Sequence, residues 1–356
     1  MNNRPSICFF NTAKVWGGGE KWHFDHALAL HDRGFNVIAV GGINSDLSRR
    51  FRETEIPIFE IGIRTFSFLN PQKRRRLMKI FKENNVQTII INLSADLKIA
   101  GPLAKRAGAK QIIYRRGSAI PVKAHFLNKY LLGSVVTGII ANSLATKRTL
   151  LQHLDLDENK ISVINNGIRI RKYHVQPVKN NLFTIGGLGR LNKQKAFHLL
   201  IDILRRLHDD GYKIRAVIGG KGELEDDLKA YARKLNLSDY VVFPGFVEDI
   251  NAFMQQIDVF VLSSKWEGFG YVLAEAAACG KACVAFDVSS NPELIIHGET
   301  GFLADAFDTK QAADYIKQLY ENRELLSRLG ENGHHYVEQN FSFEKSAERL
   351  IAYITD

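Results

Sequence analysis

Two cations follow a glycine-rich run in the second half of the sequence. In the segment Gly186-Gly-Leu-Gly-Arg190-Leu-Asn-Lys-Gln-Lys195, a short β-branched run comes first. Arg190 and Lys195 are therefore expected at the end of a strand and at the start of the following helix. A forked guanidinium and a compact ammonium suit a diphosphate, and each charge-assisted hydrogen bond contributes about 1.5–3 kcal/mol. The pair predicts diphosphate binding.

Two carboxylates flank a second glycine pair, in Glu267-Gly268-Phe269-Gly270 and, eight residues on, Glu275. Glu267 is expected in the loop after a strand, the glycines at a helix start, and Glu275 inside that helix, where neighbouring alanines predict burial. Amides at a helix start bind anions, and carboxylates accept hydrogen bonds from hydroxyls. The spacing predicts that the two carboxylates bind hydroxyls of two sugar rings, one on each side of a phosphate. The alternative is an exposed loop carboxylate and a helix-surface carboxylate.

A third glycine-rich loop lies near the start of the chain, at Trp16-Gly17-Gly18-Gly19-Glu20. It is expected after the first strand and before a helix, where Gly18 and Gly19 let the backbone approach a ligand. The alternative is an ordinary flexible turn. His23 and His26 follow at helical spacing, but without a third ligand a metal site is the less favoured interpretation.

These loops do not match the common nucleotide-binding fingerprints. Three segments approach a Gly-x-Gly-x-x-Gly motif and fail at its third glycine: Gly17-Gly-Gly19 has Trp22 there, Gly187-Leu-Gly189 has Asn192, and Gly220-Lys-Gly222 has Glu225. No Gly-x4-Gly-Lys-Ser/Thr loop is present. The Asp155-Leu-Asp157 pair is interpreted as a surface turn rather than a metal site. The sequence thus argues against a dinucleotide oxidoreductase and a P-loop enzyme, and predicts neither a metal requirement nor a bound cofactor.

The composition predicts a chain with a substantial core. It has 356 residues, of which 45% are hydrophobic and 24% charged. No run approaches the roughly 18 apolar residues of a membrane-spanning helix. The first 16 residues lack the pattern of a secretion signal, so a cytoplasmic location is expected. Three cysteines with no CxxC pair indicate reduced core thiols.

Short β-branched runs alternate with helical patterns along most of the chain. This alternation of strands and helices predicts parallel sheets that are covered by helices on both faces. The alternation is interrupted from Asn165 through a polar stretch that ends at Asn181, and this interruption indicates a linker. We therefore expect an α/β protein of two facing doubly wound, Rossmann-like domains. Ligands of such sheets bind at the carboxyl ends of the strands, so the expected active site is the interdomain cleft.

The motifs taken together carry a family resemblance. Besides the segments above, the chain contains Asn166-Gly167-Ile168 and Pro292-Glu293 followed by Gly298-x-Thr300-Gly301-Phe302-Leu303. In this order they resemble the glycosyltransferase family 4 group, retaining enzymes of GT-B fold that use nucleotide-activated sugars. The match extends over nearly the whole chain. It implies an acceptor-binding domain at 1–165, a donor-binding domain at 166–340, and a final helix at 341–356 packing back on the first domain.

The resemblance also implies roles for individual residues of the donor-binding domain. Arg190 and Lys195 would bind the donor diphosphate. Glu267, with the amides of Phe269 and Gly270 beyond Gly268, would hold the transferred sugar. Glu275 would bond the ribose hydroxyls.

Further donor contacts are implied outside this group. Gly18 and Gly19 would approach the donor from the first domain, and Phe246 and Val247 lie where the family's base-contacting backbone is found.

Two positions depart from the family pattern. Lys195-Ala196 replaces the usual Lys-Gly, which costs backbone freedom but keeps the cation. Many members have a histidine after the fifth strand that touches the transferred sugar, and here Arg116 occupies that place. An arginine there predicts an ionic contact, suited to an anionic or phosphorylated acceptor.

The charge is concentrated in the first half of the chain. Residues 1–180 have 29 Lys and Arg against 12 Asp and Glu, and residues 181–356 have 19 against 26. The densest run, Lys73-Arg74-Arg75-Arg76, lies in a segment 71–82 whose pattern predicts a surface helix. A solvated helix face is one interpretation. Contact with an anionic membrane is the second, and no stacking motif supports nucleic acid.

The expected function is transfer of a sugar from a UDP-, GDP- or ADP-sugar to a carbohydrate or lipid-linked anionic acceptor, with retention. Bacterial surface polysaccharide or lipopolysaccharide assembly is the pathway predicted, at the inner face of the membrane if contact occurs. Two other functions stay open. A nucleotide-sugar epimerase or hydrolase would use the same scaffold, and a basic nucleic-acid-binding module would bind polynucleotides in a salt-sensitive manner.

Overall fold

The computed structural model describes residues 5–123, 125–173 and 182–356. The chain forms two compact units. Unit 1 contains the residues up to Asn166 together with Ser346–Asp356, and unit 2 contains Gly167–Lys345. Part of the segment that the sequence assigns to the linker, residues 174–181, lies outside the described residues.

Unit 1 is built on a seven-stranded sheet in which every strand pair is parallel, with order β3-β2-β1-β4-β5-β6-β7. Its strands are β1 Ser6–Asn11, β2 Val37–Gly41, β3 Ile58–Glu60, β4 Val86–Ile91, β5 Gln111–Arg116, β6 Gly138–Ala141 and β7 Ile161–Val163.

The α-helices of this part of the chain are α1 Gly18–His31, α2 Asp46–Phe51, α3 Pro71–Glu83, α4 Ser94–Ala107, α5 Phe126–Tyr130 and α6 Leu144–His153. Short 3-10 turns at Ser67–Leu69 and Glu158–Lys160 and a π-helical turn at Leu131–Val135 complete it. Each face of the sheet has an apolar core of its own, because strands covered on both faces bury successive side chains on opposite sides.

Unit 2 has a six-stranded sheet with the order β10-β9-β8-β11-β12-β13, again with parallel neighbours. Its strands are β8 Phe183–Leu188, β9 Ile214–Gly219, β10 Val241–Val242, β11 Val259–Leu262, β12 Ala282–Phe286 and β13 Phe302–Ala304.

Seven helices lie between β8 and the last helix of the chain, and a 3-10 turn at Ile170–Lys172 precedes β8. The helices are α7 Phe197–Asp209, α8 Glu225–Lys234, α9 Ile250–Gln255, α10 Tyr271–Ala278, α11 Asn291–Leu294, α12 Thr309–Glu321 and α13 Arg323–Phe341. The last helix of the chain is α14 Phe343–Thr355, which begins in unit 2 and belongs to unit 1 from Ser346 onward.

The end of the chain differs from the sequence expectation of one helix over residues 341–356. Phe341 ends α13, and α14 starts only at Phe343. Ser342 between them is extended, because Ile168 pairs there: its N–H donates to Phe341 O, and Phe343 N–H donates to Ile168 O, both at 2.9 Å. Main-chain pairing with a distant segment therefore breaks the helix.

The strand series predicted from the sequence is confirmed, with the two sheets parallel throughout. β13 was not predicted as a strand, since three residues carry too little periodicity. The run 182–185 predicts a strand that ends at Ile185, but β8 continues three residues farther, through Gly186 and Gly187 to Leu188. A side chain at Gly186 would place its Cβ 2.5 Å from Cγ2 of Ile257, so the strand needs glycine there to pack. None of the helices in the described ranges has both the length and the apolar character needed to cross a bilayer.

Candidate functional site

Lys195 and Glu267, predicted separately from two motifs, form an ion pair in unit 2. Nζ of Lys195 lies 2.7 Å from Oε1 of Glu267, and the two side chains are only 15% and 10% exposed. Lys195 comes from the loop between β8 and α7, and Glu267 from the loop between β11 and α10. Because neighbouring parallel strands end at the same sheet edge, the β8–β11 pairing brings these loops together.

The main chain of Lys195 is fixed by polar side chains on both sides. Its N–H donates to Oδ1 of Asn192 at 3.1 Å, and its carbonyl accepts from Oγ of Ser263 at 2.9 Å. A side chain at Gly189 would place its Cβ 2.8 Å from Cε of Lys195. The glycine of the Gly-Leu-Gly-Arg segment thus leaves the space through which the lysine stem passes.

Ala196 has a backbone conformation that is unusual for alanine. It lies in the left-handed region at φ +47° and ψ +43°, fully buried, immediately before α7. The replacement of the family's Lys-Gly by Lys195-Ala196 predicts a loss of backbone freedom at this position. The positive φ is the source of this cost, because the left-handed conformation is about 1–2 kcal/mol less favourable for a residue with a Cβ.

Arg190 is exposed at the end of the same sheet. In the ranges that the structure describes, its guanidinium makes neither an ion pair nor a hydrogen bond. The structure therefore joins Lys195 to Glu267, whereas Arg190 at the edge of the sheet has no acidic partner among the described residues.

The start of α10 is shaped by Gly270. This residue caps the helix at φ +84° and ψ +53°, which glycine adopts without strain. Phe269 is buried, its ring 5.6 Å from that of Phe341. Within the described ranges, no acceptor is bonded to the main-chain N–H of Phe269 or Gly270. Two amide donors at a helix start next to Glu267 can thus bind hydroxyl or phosphate oxygens.

Glu275 is buried in α10, as the surrounding alanines predict. Its Oε1 accepts a hydrogen bond of 2.8 Å from the hydroxyl of Tyr173. Burial, together with the charge of Glu275, raises the pKa of Tyr173 well above its usual range, so the phenol stays protonated and keeps donating. Sequence analysis missed Tyr173 because it lies within the stretch 165–181 interpreted as a linker, where no motif marks it.

Phe246 and Val247 follow β10, beyond a left-handed Gly245. Phe246 is 67% exposed, whereas Val247 packs partly buried against the core. The N–H of Gly220 donates to Gly245 O at 2.7 Å, and the N–H of Gly189 donates to Gly219 O at 3.0 Å. The loops after β8, β9 and β10 are thus joined side by side at one end of the sheet.

In unit 1, the three-glycine loop ends where α1 begins at Gly18. A side chain at Gly19 would place its Cβ 2.7 Å from Nδ2 of Asn92 and would displace that side chain, whose Oδ1 accepts from Arg115. Glu20 is buried and accepts from Nδ2 of Asn11 at 2.9 Å. Gly18 is exposed. The predicted loop and helix start are present.

Arg115, which sequence analysis passed over in favour of its neighbour, is the buried arginine of β5. Its guanidinium donates to Oδ1 of Asn92 at 2.9 Å and to Oδ1 of Asn166 at 2.8 Å, and it lies 4.7 Å from the ring of Trp22. Arg116 is half-buried and donates to Ile120 O at 2.7 Å. The two arginines differ because successive strand residues point to opposite faces.

Both units of the chain are similar to known protein families. Residues 16–172 match the sequence model of Glycosyltransferase Family 4, and residues 170–336 match that of Glycosyl transferases group 1. The chain belongs to glycosyltransferase family 4. Together the two matches span both units of this glycosyltransferase and meet close to the boundary between them.

Curated relatives carry polysaccharide-related names. The capsular polysaccharide biosynthesis glycosyltransferase CapM of Staphylococcus aureus is 31% identical, over 60% of each chain. The lipopolysaccharide core biosynthesis mannosyltransferase LpsB of Rhizobium meliloti is 31% identical, over 47% of this chain and 50% of that one. An uncharacterized glycosyltransferase of Haemophilus influenzae is 25% identical, over 93% and 94%. The chain thus spans about half to three fifths of CapM and LpsB.

Solved structures share the GT-B fold. Anabaena Alr3699/HepE in complex with UDP matches with a TM-score of 0.88 at 22% identity, over 98% of this chain and 99% of that one. The lipopolysaccharide outer core galactosyltransferase WaaB matches with a TM-score of 0.81 at 19% identity, over the same shares. The predicted family and fold class are confirmed.

The histidines and aspartates that the sequence offers as less favoured metal ligands have other contacts in this family 4 chain. His26 bonds to Trp22 O and Ser346 Oγ, and His23 is buried, its pKa lowered by burial and then by Arg115 and His26. Asp157 caps the 3-10 turn that follows it. Within the described residues no group of three or more His, Cys, Asp or Glu is placed to hold a metal ion.

Proposed function

We propose that this glycosyltransferase moves a sugar from a nucleoside-diphosphate sugar to a hydroxyl acceptor with retention of configuration, in bacterial surface polysaccharide or lipopolysaccharide assembly. The observation that carries the proposal is the buried Lys195–Glu267 pair beside the amide donors at the start of α10. The names of CapM and LpsB support the pathway.

The donor diphosphate would bind Arg190 and Lys195. Arg190 has no carboxylate to neutralise it within the described residues, and its fork suits two phosphate oxygens. Negative charge grows on the diphosphate as the sugar leaves. Fixed cations and amides stabilise that charge without reorganising. In this mechanism no metal ion or other cofactor is needed.

The transferred sugar would be held by Glu267 and by the N–H groups of Phe269 and Gly270. Nζ of Lys195 donates to one carboxylate oxygen of Glu267, which leaves the second oxygen to accept from a sugar hydroxyl. Glu275 would accept from the ribose hydroxyls, with Tyr173 orienting the carboxylate. Phe246 and Val247 would lie beside the base, and Gly18 and Gly19 would approach the donor from unit 1. We assign no side chain as nucleophile, and retention implies attack on the face from which the diphosphate leaves.

The donor to test first is a UDP-sugar. HepE, which has the same fold, has been solved with UDP-glucose. The acceptor would be a carbohydrate or lipid-linked anion bound by unit 1, with Arg116 as one ionic contact, and we propose no polynucleotide partner. Basic residues on α3 and α4, among them Lys79, Lys82 and Arg106, line a groove suited to peripheral contact with an anionic membrane at its cytoplasmic face.

A thermal-shift panel of UDP, GDP, ADP and UDP-glucose, with and without Mg²⁺, tests the donor site. One nucleotide at about a hundred times its Kd should stabilise the wild type by about 2.7 kcal/mol. Glu275→Gln should lose most of this shift. Glu324→Gln, an exposed carboxylate of α13, should keep it. No shift with any nucleotide would refute the proposal.

The configuration of the product tests retention. With an α-linked donor, NMR of the product should show an α-linkage, and a β-linkage would overturn the retaining mechanism. Donor consumption in the absence of any acceptor would instead favour the epimerase or hydrolase function.

A further inference from the structure

A cavity of 790 Å³ lies in unit 1 at the carboxyl ends of β1, β2 and β3. Its wall includes residues that directly follow these strands, as well as residues of α3. The carboxyl end of a parallel sheet is where ligands of such folds bind. The cavity, here called the strand-end pocket, belongs to unit 1 alone and is distinct from the Lys195–Glu267 site.

The charge of the strand-end pocket is positive. Among the residues that the structure describes, Lys14, Arg64, Lys73 and Arg76 line it and no carboxylate does. In the described ranges, Lys14, Arg64 and Arg76 form no ion pair with any acidic side chain. A cavity with several cations and no internal counterion attracts an anion.

The acidic residues near the pocket are occupied elsewhere. Glu60, at the end of β3, bonds to Arg52 and to the N–H of Asn44. Asp96 is buried behind Thr12, which donates to it twice. Neither carboxylate neutralises the lining cations.

Lys73 also shapes the pocket. Its ammonium donates to the carbonyl of Gly62 and to Oγ of Ser67, and Ser67 Oγ accepts from the N–H of Arg64 at 2.8 Å. These bonds fasten the loop after β3 to α3, which places Arg64 at the rim. Both partners of Lys73 are neutral, so its charge stays available to a ligand.

The remaining wall is apolar. Ile43 is 58% exposed, and Ile63 lines the same cavity. An exposed aliphatic side chain beside several cations suits a ligand with both C–H faces and anionic groups, such as a sugar that carries a phosphate. A phosphate monoester has close to two negative charges at neutral pH and accepts several hydrogen bonds, which fits two guanidinium groups.

We propose that the strand-end pocket binds the acceptor and selects a phosphorylated saccharide through Arg64 and Arg76. This inference rests on the proposed function, because it names the acceptor class of the same enzyme. Lys73 and Arg76 belong to the basic run 73–76 of the sequence, but only the structure shows that they share a cavity with Lys14 and Arg64. A neutral saccharide would leave the cations of the pocket without a counterion and would bind more weakly.

Calorimetric titration of the full chain with glucose 6-phosphate, and with glucose as the uncharged probe, tests the inference. The phosphorylated sugar should bind and glucose should bind at least about tenfold more weakly. The double variant Arg64→Ala/Arg76→Ala should lose about tenfold or more in affinity for glucose 6-phosphate. Arg148→Ala, which removes an exposed arginine of α6 in the same unit, should bind as the wild type does.

Three outcomes would overturn the inference. They are equal binding of glucose and glucose 6-phosphate, equal binding of inorganic phosphate and glucose 6-phosphate, and an equal loss in the Arg148 control. The double variant must keep its UDP thermal shift, which shows that it is folded and that its donor site is intact. Failure of the donor proposal appears as a missing UDP shift, whereas failure of this one leaves that shift unchanged.

Discussion

Ala196 connects the site to a local conformational cost. Lys195 must reach Glu267 across the end of the sheet, and the chain then turns abruptly into α7 through the left-handed conformation of Ala196. Strain at such positions persists only where surrounding contacts fix the backbone. Here those contacts include the bonds of Asn192 and Ser263 to the main chain of Lys195.

The strain can be measured by comparing two alanine-to-glycine substitutions in unit 2. Ala196 and Ala232 are both buried, but Ala232 lies within α8. Both changes remove a buried methyl group and add chain entropy, while only Ala196→Gly relieves a positive φ. We expect Ala232→Gly to destabilise unit 2 by about 1–2 kcal/mol more. Native-state hydrogen exchange of unit 2 checks this difference, and equal losses would contradict it.

The buried carboxyl of Asp96 predicts that the stability of unit 1 depends on pH. Burial raises the pKa of this carboxyl to about 7, against the lowering effect of two hydrogen bonds from Thr12. Between the ordinary pKa of an aspartate and pH 7, the unfolded chain loses a proton that the folded chain keeps. The contribution of Asp96 to stability is therefore complete below about pH 4 and declines as the pH rises towards 7.

Asp96→Asn should flatten this decline. The wild type should lose up to about 1.4 kcal/mol per pH unit relative to the variant between about pH 4 and 7. Urea unfolding at several pH values, followed in unit 1, measures the slope. Asp155→Asn, in an exposed turn of the same unit, serves as the control and should retain the wild-type slope. Parallel curves for wild type and Asp96→Asn would be inconsistent with the raised pKa.

Close packing between elements in unit 2 depends on a glycine of α13. A side chain at Gly330 would place its Cβ 2.2 Å from the carbonyl oxygen of Gly280, in the turn between α10 and β12. α13 thus rests directly on the backbone behind the helix that carries Glu275. Elsewhere in a helix, replacing glycine with alanine is stabilising.

Gly330→Ala should therefore destabilise the protein, by about 1–3 kcal/mol, because the backbone it meets cannot move aside as a side chain would. Denaturant unfolding followed by circular dichroism gives the value. Arg328→Ala, on the exposed face of α13, should change stability by less than about 0.5 kcal/mol. A stabilised Gly330→Ala variant would show that the contact is not as tight as described.

Elements with a strong local signal could be predicted from the sequence. Pro71 starts α3 as expected, Asn70 caps it by accepting from the N–H of Lys73, and Leu77 is buried on its apolar stripe. β13 could not be predicted, because its three residues are a strand only through pairing with β12.

The site, like the fold, could be predicted where a local motif marks a residue and not where a tertiary contact does. Lys195 and Glu267 were predicted as residues but not as an ion pair, since their motifs lie far apart in sequence. Tyr173 and Arg115 stayed hidden because their importance comes from a tertiary partner: Glu275 for the tyrosine, and Asn92 and Asn166 for the arginine. Short motifs contain no information about such partners.

At the scale of the whole molecule, the chain passes from one unit to the other twice, after Asn166 and after Lys345. The returning segment is fastened to unit 1 at once. Oγ of Ser346 donates to Asn165 O at 2.7 Å and also bonds to Nε2 of His26 at 3.1 Å. Farther along α14, Leu350 is fully buried in a core it shares with Trp22 and Phe9.

Leu350→Ala should accordingly weaken unit 1, by about 2–5 kcal/mol, although Leu350 follows all of unit 2 in the sequence. Leu329→Ala, at an equally buried position of α13, should weaken unit 2 instead. Peptide-resolved hydrogen exchange distinguishes the two, with protection lost first in unit 1 for one variant and in unit 2 for the other. Loss confined to unit 2 in both would contradict the assignment of α14.

Because α14 returns to unit 1, we expect unit 2 to complete its fold before unit 1 during translation. The ribosome makes most of unit 1 first, but the residues that fill its core beside Trp22 are made only after Lys345. Unit 2 has all of its residues by then. An incomplete apolar surface of unit 1 is therefore exposed while unit 2 is synthesised. We expect chaperones to be needed more for unit 1 than for unit 2 during synthesis.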